Sequence, residues 1–178
     1  MQKDTFTLWA NYNKTVNQKM NEVIKTLTQE EWDKALGGYF KSVRGLCSHL
    51  YICDFNWLKF FLKLREIKVL QESFFTGKRY STSELLFEDK DEYLKMRTIL
   101  DEKIIVFIDE LVYGDFNTYL QYPASEGGVA SNGSSSKRLS GGLLMQFFNH
   151  GAHHRGMISL YLEMLGHKNN FSSFAAVL

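Results

Sequence analysis

A chain of 178 residues with 44% hydrophobic and 23% charged side chains has the make-up of one soluble globular domain over 1–178, long enough to enclose a full apolar core. Its formal net charge of +1 gives no electrostatic basis for nucleic-acid binding, and no apolar run approaches the roughly 20 residues that span a bilayer. Cys47 and Cys53 are too few for a disulfide scaffold, and Met1-Gln2-Lys3-Asp4-Thr5 leads into an amphipathic segment instead of a signal-peptide core, so a cytoplasmic protein is expected.

Proline occurs once, at Pro123, and so does not interrupt long helices. Four are expected. In the first, Trp9, Tyr12, Val16, Met20, Val23 and Leu27 recur every three or four residues and share one face. Thr28-Gln29-Glu30-Glu31 has the form of a capping box that opens a short helical turn, and Gly37-Gly38 breaks the pattern after it. Ser42 is the expected cap of the second long helix, whose stripe is Val43, Leu46, Leu50, Cys53, Trp57, Phe60 and Leu64, with His49 at its edge. The connection over 65–87 is long and mixed, and a second capping-box pattern from Ser81 to Glu84 predicts a short helix inside it.

The third long helix is expected from about Asp89, where acidic side chains suit the positive end of the helix dipole, with Tyr93, Met96, Leu100, Ile104, Phe107 and Leu111 buried. Residues 114–140 read as loop, Gly- and Ser-rich over 127–136, with a short strand at 118–122. The fourth helix should begin between Ser136 and Leu143 and end near Leu165, where Gly166 is a stop signal. Phe171, Phe174, Val177 and Leu178 in the tail are expected to dock on the bundle. Four amphipathic helices with little strand predict an all-α four-helix bundle, and the long second connection allows helices two and three to be something other than a tight antiparallel pair.

The fourth helix carries three of the five histidines in Asn149-His150-Gly151-Ala152-His153-His154-Arg155-Gly156. Residues four apart lie on one helix face, about one turn or roughly 6 Å apart along the axis. The apolar stripe Leu143, Phe147, His150, His154, Ile158, Tyr161 and Leu165 selects His150 and His154 as the inward pair. His153 falls on a more polar row with Gln146, Asn149 and Gly156, outside the site. His49 is the natural third ligand from another helix. Polar side chains on a core stripe need hydrogen bonds or a metal, and core histidines bonded to their neighbours are the metal-free alternative. Three neutral imidazoles suit Zn²⁺, Ni²⁺ or Fe²⁺ and leave a coordination position open for water or substrate. Gly151 stands where HExxH has its Glu, which removes the general base of a peptidase.

Other candidates are read more plainly. Cys53, one turn beyond His49, is a small buried hydrophobe first and a fourth ligand or reactive thiol second. Cys47 points to the opposite side. Asn56 lines the cavity or caps a polar contact. Arg155 does not share the face of His154, and a subunit partner, a carboxylate or bulk solvent are its expected surroundings. Trp9 and Trp57 are read as core.

The run Asn149 to Gly156 resembles the NHxxHHRG signature of the DinB/YfiT-like metalloproteins. Ser42-Val43-Arg44-Gly45-Leu46-Cys47-Ser48-His49 with Asp54 and Trp57 resembles that family's second-helix pattern, and Tyr12-Asn13 with Asn17 its first. The resemblance implies a bundle in up-down-down-up order, with short extra helices and a small β-hairpin before the last helix, commonly as a homodimer. It further implies a divalent metal, nickel or zinc, held by His49, His150 and His154. Met157 departs from the family, which often carries Gln there. Because some relatives transfer small thiols, the resemblance points to a metal-dependent enzyme that moves a small-molecule thiol onto an electrophile. The alternatives are a hydrolase using bound hydroxide and a non-catalytic metal-binding stress-response protein; fold and metal do not by themselves choose among them.

Overall fold

The computed structural model describes residues 2–77, 80–123, 136–171 and 173–176. Helix α1 (Gln2–Lys25) is followed by the short α2 (Gln29–Asp33), then by α3 (Val43–Phe61) and α4 (Lys90–Glu110). Strands β1 (Tyr119–Tyr122) and β2 (Ser136–Leu139) precede the last helix, α5 (Ser140–Met164). The caps are those the sequence signals. Thr28 and Glu31 form a reciprocal capping box at α2, the Ser42 side chain accepts from the Gly45 amide, and Asp89 caps α4. Gly166, at φ +91°, supplies the left-handed residue that lets the chain leave α5.

Pairs of contacting residues fix the helix directions. Along the α1–α4 seam, Lys3 meets Asp109, Lys14 meets Glu102 and Asn17 meets Asp101, so the two helices are antiparallel. Between α1 and α5, Phe6 meets Phe148 and Asn13 meets Arg155, so these run parallel. Asp54 meets Arg97 and Phe61 meets Phe107, so α3 and α4 are also parallel. The order is therefore up-down-down-up, and the long connection over 62–89 exists because a parallel pair requires the chain to return along the bundle.

The first-helix stripe is buried or half-buried as the periodicity demands, with Val16 and Met20 fully enclosed. Trp9 and Trp57 are only half-buried. Trp9 packs on Phe148 and Phe174, and Trp57 stacks on Tyr122 of β1. Strands β1 and β2 pair antiparallel from Tyr119↔Leu139 to Tyr122↔Ser136. The Ser140 amide donates to Thr118 O at 2.9 Å, so the hairpin sets the point where α5 begins. In the tail, Phe171 is buried and Phe174 packs on Tyr12, as expected, while Val177 and Leu178 lie outside the described residues. So do 127–135 of the Gly- and Ser-rich stretch.

The segment from Ser81 to Glu84 is a correction. Its capping contact forms, with the Ser81 amide on Glu84 Oε2 at 3.3 Å, but the chain makes a single turn and no helix. Three consecutive Ser/Thr residues are weak helix formers, and Phe87 just beyond is drawn into the core. The turn nevertheless positions a backbone carbonyl that matters below.

Candidate metal centre

Helices α3 and α5 face each other, and each brings an i, i+4 pair to the same point. His49 and Cys53 come from α3, and His150 and His154 from α5. The ring centroids of His150 and His154 are 4.3 Å apart, those of His49 and His154 4.5 Å, and those of His49 and His150 5.5 Å. His49, Cys53 and His150 offer donor atoms that all lie within 4.8 Å of one another. Cys53 Sγ is 3.5 Å from His49 Nε2. His154 is buried, and His49 and His150 are half-buried.

The surroundings hold these rings in place. His49 Nδ1–H donates to Thr82 O at 2.8 Å, which leaves Nε2 as the nitrogen with an available lone pair. Asn56 Nδ2 donates to Tyr80 O at 2.9 Å and Leu86 N to Ser48 Oγ at 3.2 Å, so α3 itself anchors the turn that carries Thr82. Phe40 covers the cluster, its ring centroid 4.4 Å from that of His49 and 5.4 Å from that of His154. The loop bearing Phe40 is tied to α5 by the Tyr161 hydroxyl, which donates to Gly37 O at 2.7 Å. Gly38 has φ +67°, and a Cβ there would lie 2.7 Å from that hydroxyl, so glycine is favoured on both counts.

Burial controls the protonation of the cluster. It pushes His154 down to about 3, with His150, His49 and His153 adding to the effect. Burial also lowers His150, against the pull of Asp54, and lowers His49 against the Thr82 hydrogen bond and Asp54. These are neutral imidazoles, the form that binds a cation. Among the described residues, the Nδ1 atoms of His150 and His154 are buried without a hydrogen-bond partner, a costly state for a ring nitrogen. Neutral rings, orphaned nitrogens and a fixed His49 tautomer all fit a divalent metal.

His153 is exposed, with its ring 4.9 Å from that of His154, on the outer side of α5 as expected. Cys47 is fully buried on the other side of α3 against Tyr93, and burial raises its thiol pKa. Asn56 caps a carbonyl. Arg155 corrects the sequence reading. It is 2% exposed and donates to Asn13 Oδ1 and, at 3.3 Å, to Asn17 Oδ1. One step around α5 from His154 turns a side chain toward α1, and that seam is interior too. Gly151 makes room for this, since a Cβ there would lie 3.1 Å from Arg155 Nη1 and 3.4 Å from Asn13 Oδ1.

Beneath the histidines lies a polar layer that periodicity alone overlooked. Arg97 donates at 2.7 Å to Asp54 and at 2.7 Å to Asp101, and Asn17 Nδ2 donates to Asp101 at 2.8 Å. With Arg155 and Asn13 it joins all four long helices and balances two guanidinium groups against two carboxylates. Burial pushes Asp101 up to about 6, although Arg97 and Asn17 both favour its ionised form. The available signal was Arg97 and Asp101 at i, i+4 in line with Tyr93 and Ile104.

The comparison that decides the family covers nearly the whole chain, with the DinB family matched over residues 1–174. The chain belongs to the DinB family. It is similar to "Protein DinB" of Bacillus subtilis (strain 168), 27% identical over 158 residues, which is 88% of this chain and 83% of that protein. Its four-helix order and the small hairpin before α5 are those expected of a DinB-family fold, and no described helix is long and apolar enough to cross a membrane.

Proposed function

We propose that this DinB-family protein is a metal-dependent enzyme that transfers a small-molecule thiol to an electrophile, with His49, His150 and His154 holding a divalent cation. The observation that carries the proposal is the meeting of three neutral, largely buried imidazoles from two helices, with ring centroids 4.3 to 5.5 Å apart. Nickel and zinc suit such donors best, and Fe²⁺ is chemically admissible. When bound, the cation supplies Lewis acidity that lowers the pKa of a thiol beside it.

The chain's own residues prepare that chemistry. Thr82 fixes the His49 tautomer, so its Nε2 needs no reorientation. Phe40 shields the rings from bulk water, which strengthens the electrostatics inside. Hydrolysis is less well supported, because Asp54, next to Cys53 in sequence, is committed to Arg97 at 2.7 Å instead of being available as a base. The proposal includes a homodimeric, cytoplasmic protein.

Metal-loaded protein is expected to accelerate conjugation of small thiols to model electrophiles, with the acceleration lost in His49→Ala. Equal rates for the two proteins across a broad panel of thiols and electrophiles would refute thiol transfer. Metal bound without exchangeable water, and without turnover, would support a non-catalytic metal-binding role instead.

A further inference from the structure

Cys53 is 8% exposed, and its sulfur lies 3.5 Å from His49 Nε2. That separation has a specific meaning in metal geometry. Sulfur at about 2.3 Å and nitrogen at about 2.0 Å from one tetrahedral cation stand about 3.5 Å apart. The sulfur also belongs to the set of donor atoms from His49, Cys53 and His150 that lie within 4.8 Å of one another. A second observation points the same way. His154, 6% exposed, has a buried Nδ1 with no hydrogen-bond partner among the described residues, and its ring is 4.5 Å from His49 and 4.3 Å from His150.

We propose that Cys53 is a protein-supplied thiolate ligand, so that the site is a mixed imidazole–thiolate centre and not an all-histidine one. This rests on the reading that a cation occupies the cluster. Coordination forms a metal–sulfur bond and breaks the S–H bond, and the proton leaves to solvent. No oxidant or reductant takes part. The chain then fills the remaining coordination position itself, and an external thiol enters only by displacing Cys53 Sγ. In the cation-free protein the thiol remains protonated because burial, followed by the Asp54 charge, pushes its pKa up to about 12.

The test is a cobalt(II) titration of full-length, reduced, metal-free protein without a histidine tag, followed by absorption. Wild type and Cys47→Ala are expected to develop a near-ultraviolet thiolate-to-cobalt charge-transfer band that saturates at one equivalent. Cys53→Ser should lack the band, keep the visible ligand-field bands of a histidine site, and bind cobalt at least about tenfold more weakly, the lower end of the loss caused by removing a ligand's supporting partner. A second measurement needs no variant. Cadmium added to the metal-free wild-type protein should develop an ultraviolet thiolate-to-cadmium charge-transfer absorption that saturates at one equivalent. Cobalt bound with identical spectra in wild type and Cys53→Ser, or cadmium bound without that absorption, would overturn the thiolate ligand and leave the histidine site standing. Absence of cobalt binding in wild type would overturn both.

Discussion

His49 gives its Nδ1 proton to the carbonyl of Thr82 at 2.8 Å, and that bond couples a ligand candidate on α3 to a turn more than 30 residues away in sequence. The turn is held by Asn56, one of whose amide protons goes to Tyr80 O at 2.9 Å. Asn56 is therefore a positioning residue for His49. Asn56→Ala should weaken metal affinity by about tenfold while leaving the helical content intact, because a ligand's supporting partner is worth about 10–100-fold in affinity. Calorimetric titration with zinc, alongside circular dichroism, checks this; unchanged affinity would mean the turn holds its shape without Asn56.

Gly151 sits in the middle of a long helix, where alanine is ordinarily better by about 1 kcal/mol. Here the gain should be reversed. Arg155 Nη1, 3.1 Å from the position of the added carbon, belongs to a fully buried side chain bonded to Asn13 and has little freedom to withdraw. Gly151→Ala should destabilise the protein by about 1–3 kcal/mol, the cost typical of overpacking. Denaturant unfolding that shows Gly151→Ala to be more stable than wild type would contradict the close approach.

The buried charge layer makes an asymmetric prediction. Arg97→Ala leaves Asp54 and Asp101 facing each other without a guanidinium and should cost about 3–5 kcal/mol. Replacing one charge of each sign together, with Asp54→Asn and Arg97→Met, keeps Asp101 against Arg155, both bonded to Asn17, and should cost much less than the single change, because desolvation of charge is removed along with the attraction. The contrast is read by chemical denaturation of the two variants. A double variant as unstable as Arg97→Ala would mean that the layer contributes by shape rather than by charge.

Sequence patterns marked the four long helices, the N-caps of α3 and α4 and the last-helix pair His150 and His154, because apolar stripes and capping residues report local structure directly. It went astray where the outcome depended on a neighbouring helix. Arg155 looks peripheral when only the His154 face is considered, yet the α1 seam lies one step around the helix and supplies Asn13 and Asn17. Arg97 and Asp101 share the Tyr93 and Ile104 face of α4, which marks them as interior, but their partner Asp54 comes from α3 and is not legible from α4 alone. Cys53 is buried as its stripe predicts, and only its approach to His150 depends on how α3 and α5 pack. The turn from Ser81 shows the same principle from another side: its cap forms, but the pull of Phe87 into the core prevents a helix.

The central claim is that histidines of α3 and α5 hold one divalent cation. Elemental analysis of tag-free protein, wild type and single histidine variants, tests it most directly. The account predicts about one divalent metal per chain in wild type and in His153→Ala, and its loss from His49→Ala, His150→Ala and His154→Ala. Full occupancy in those three variants, or loss confined to His153→Ala, would contradict it.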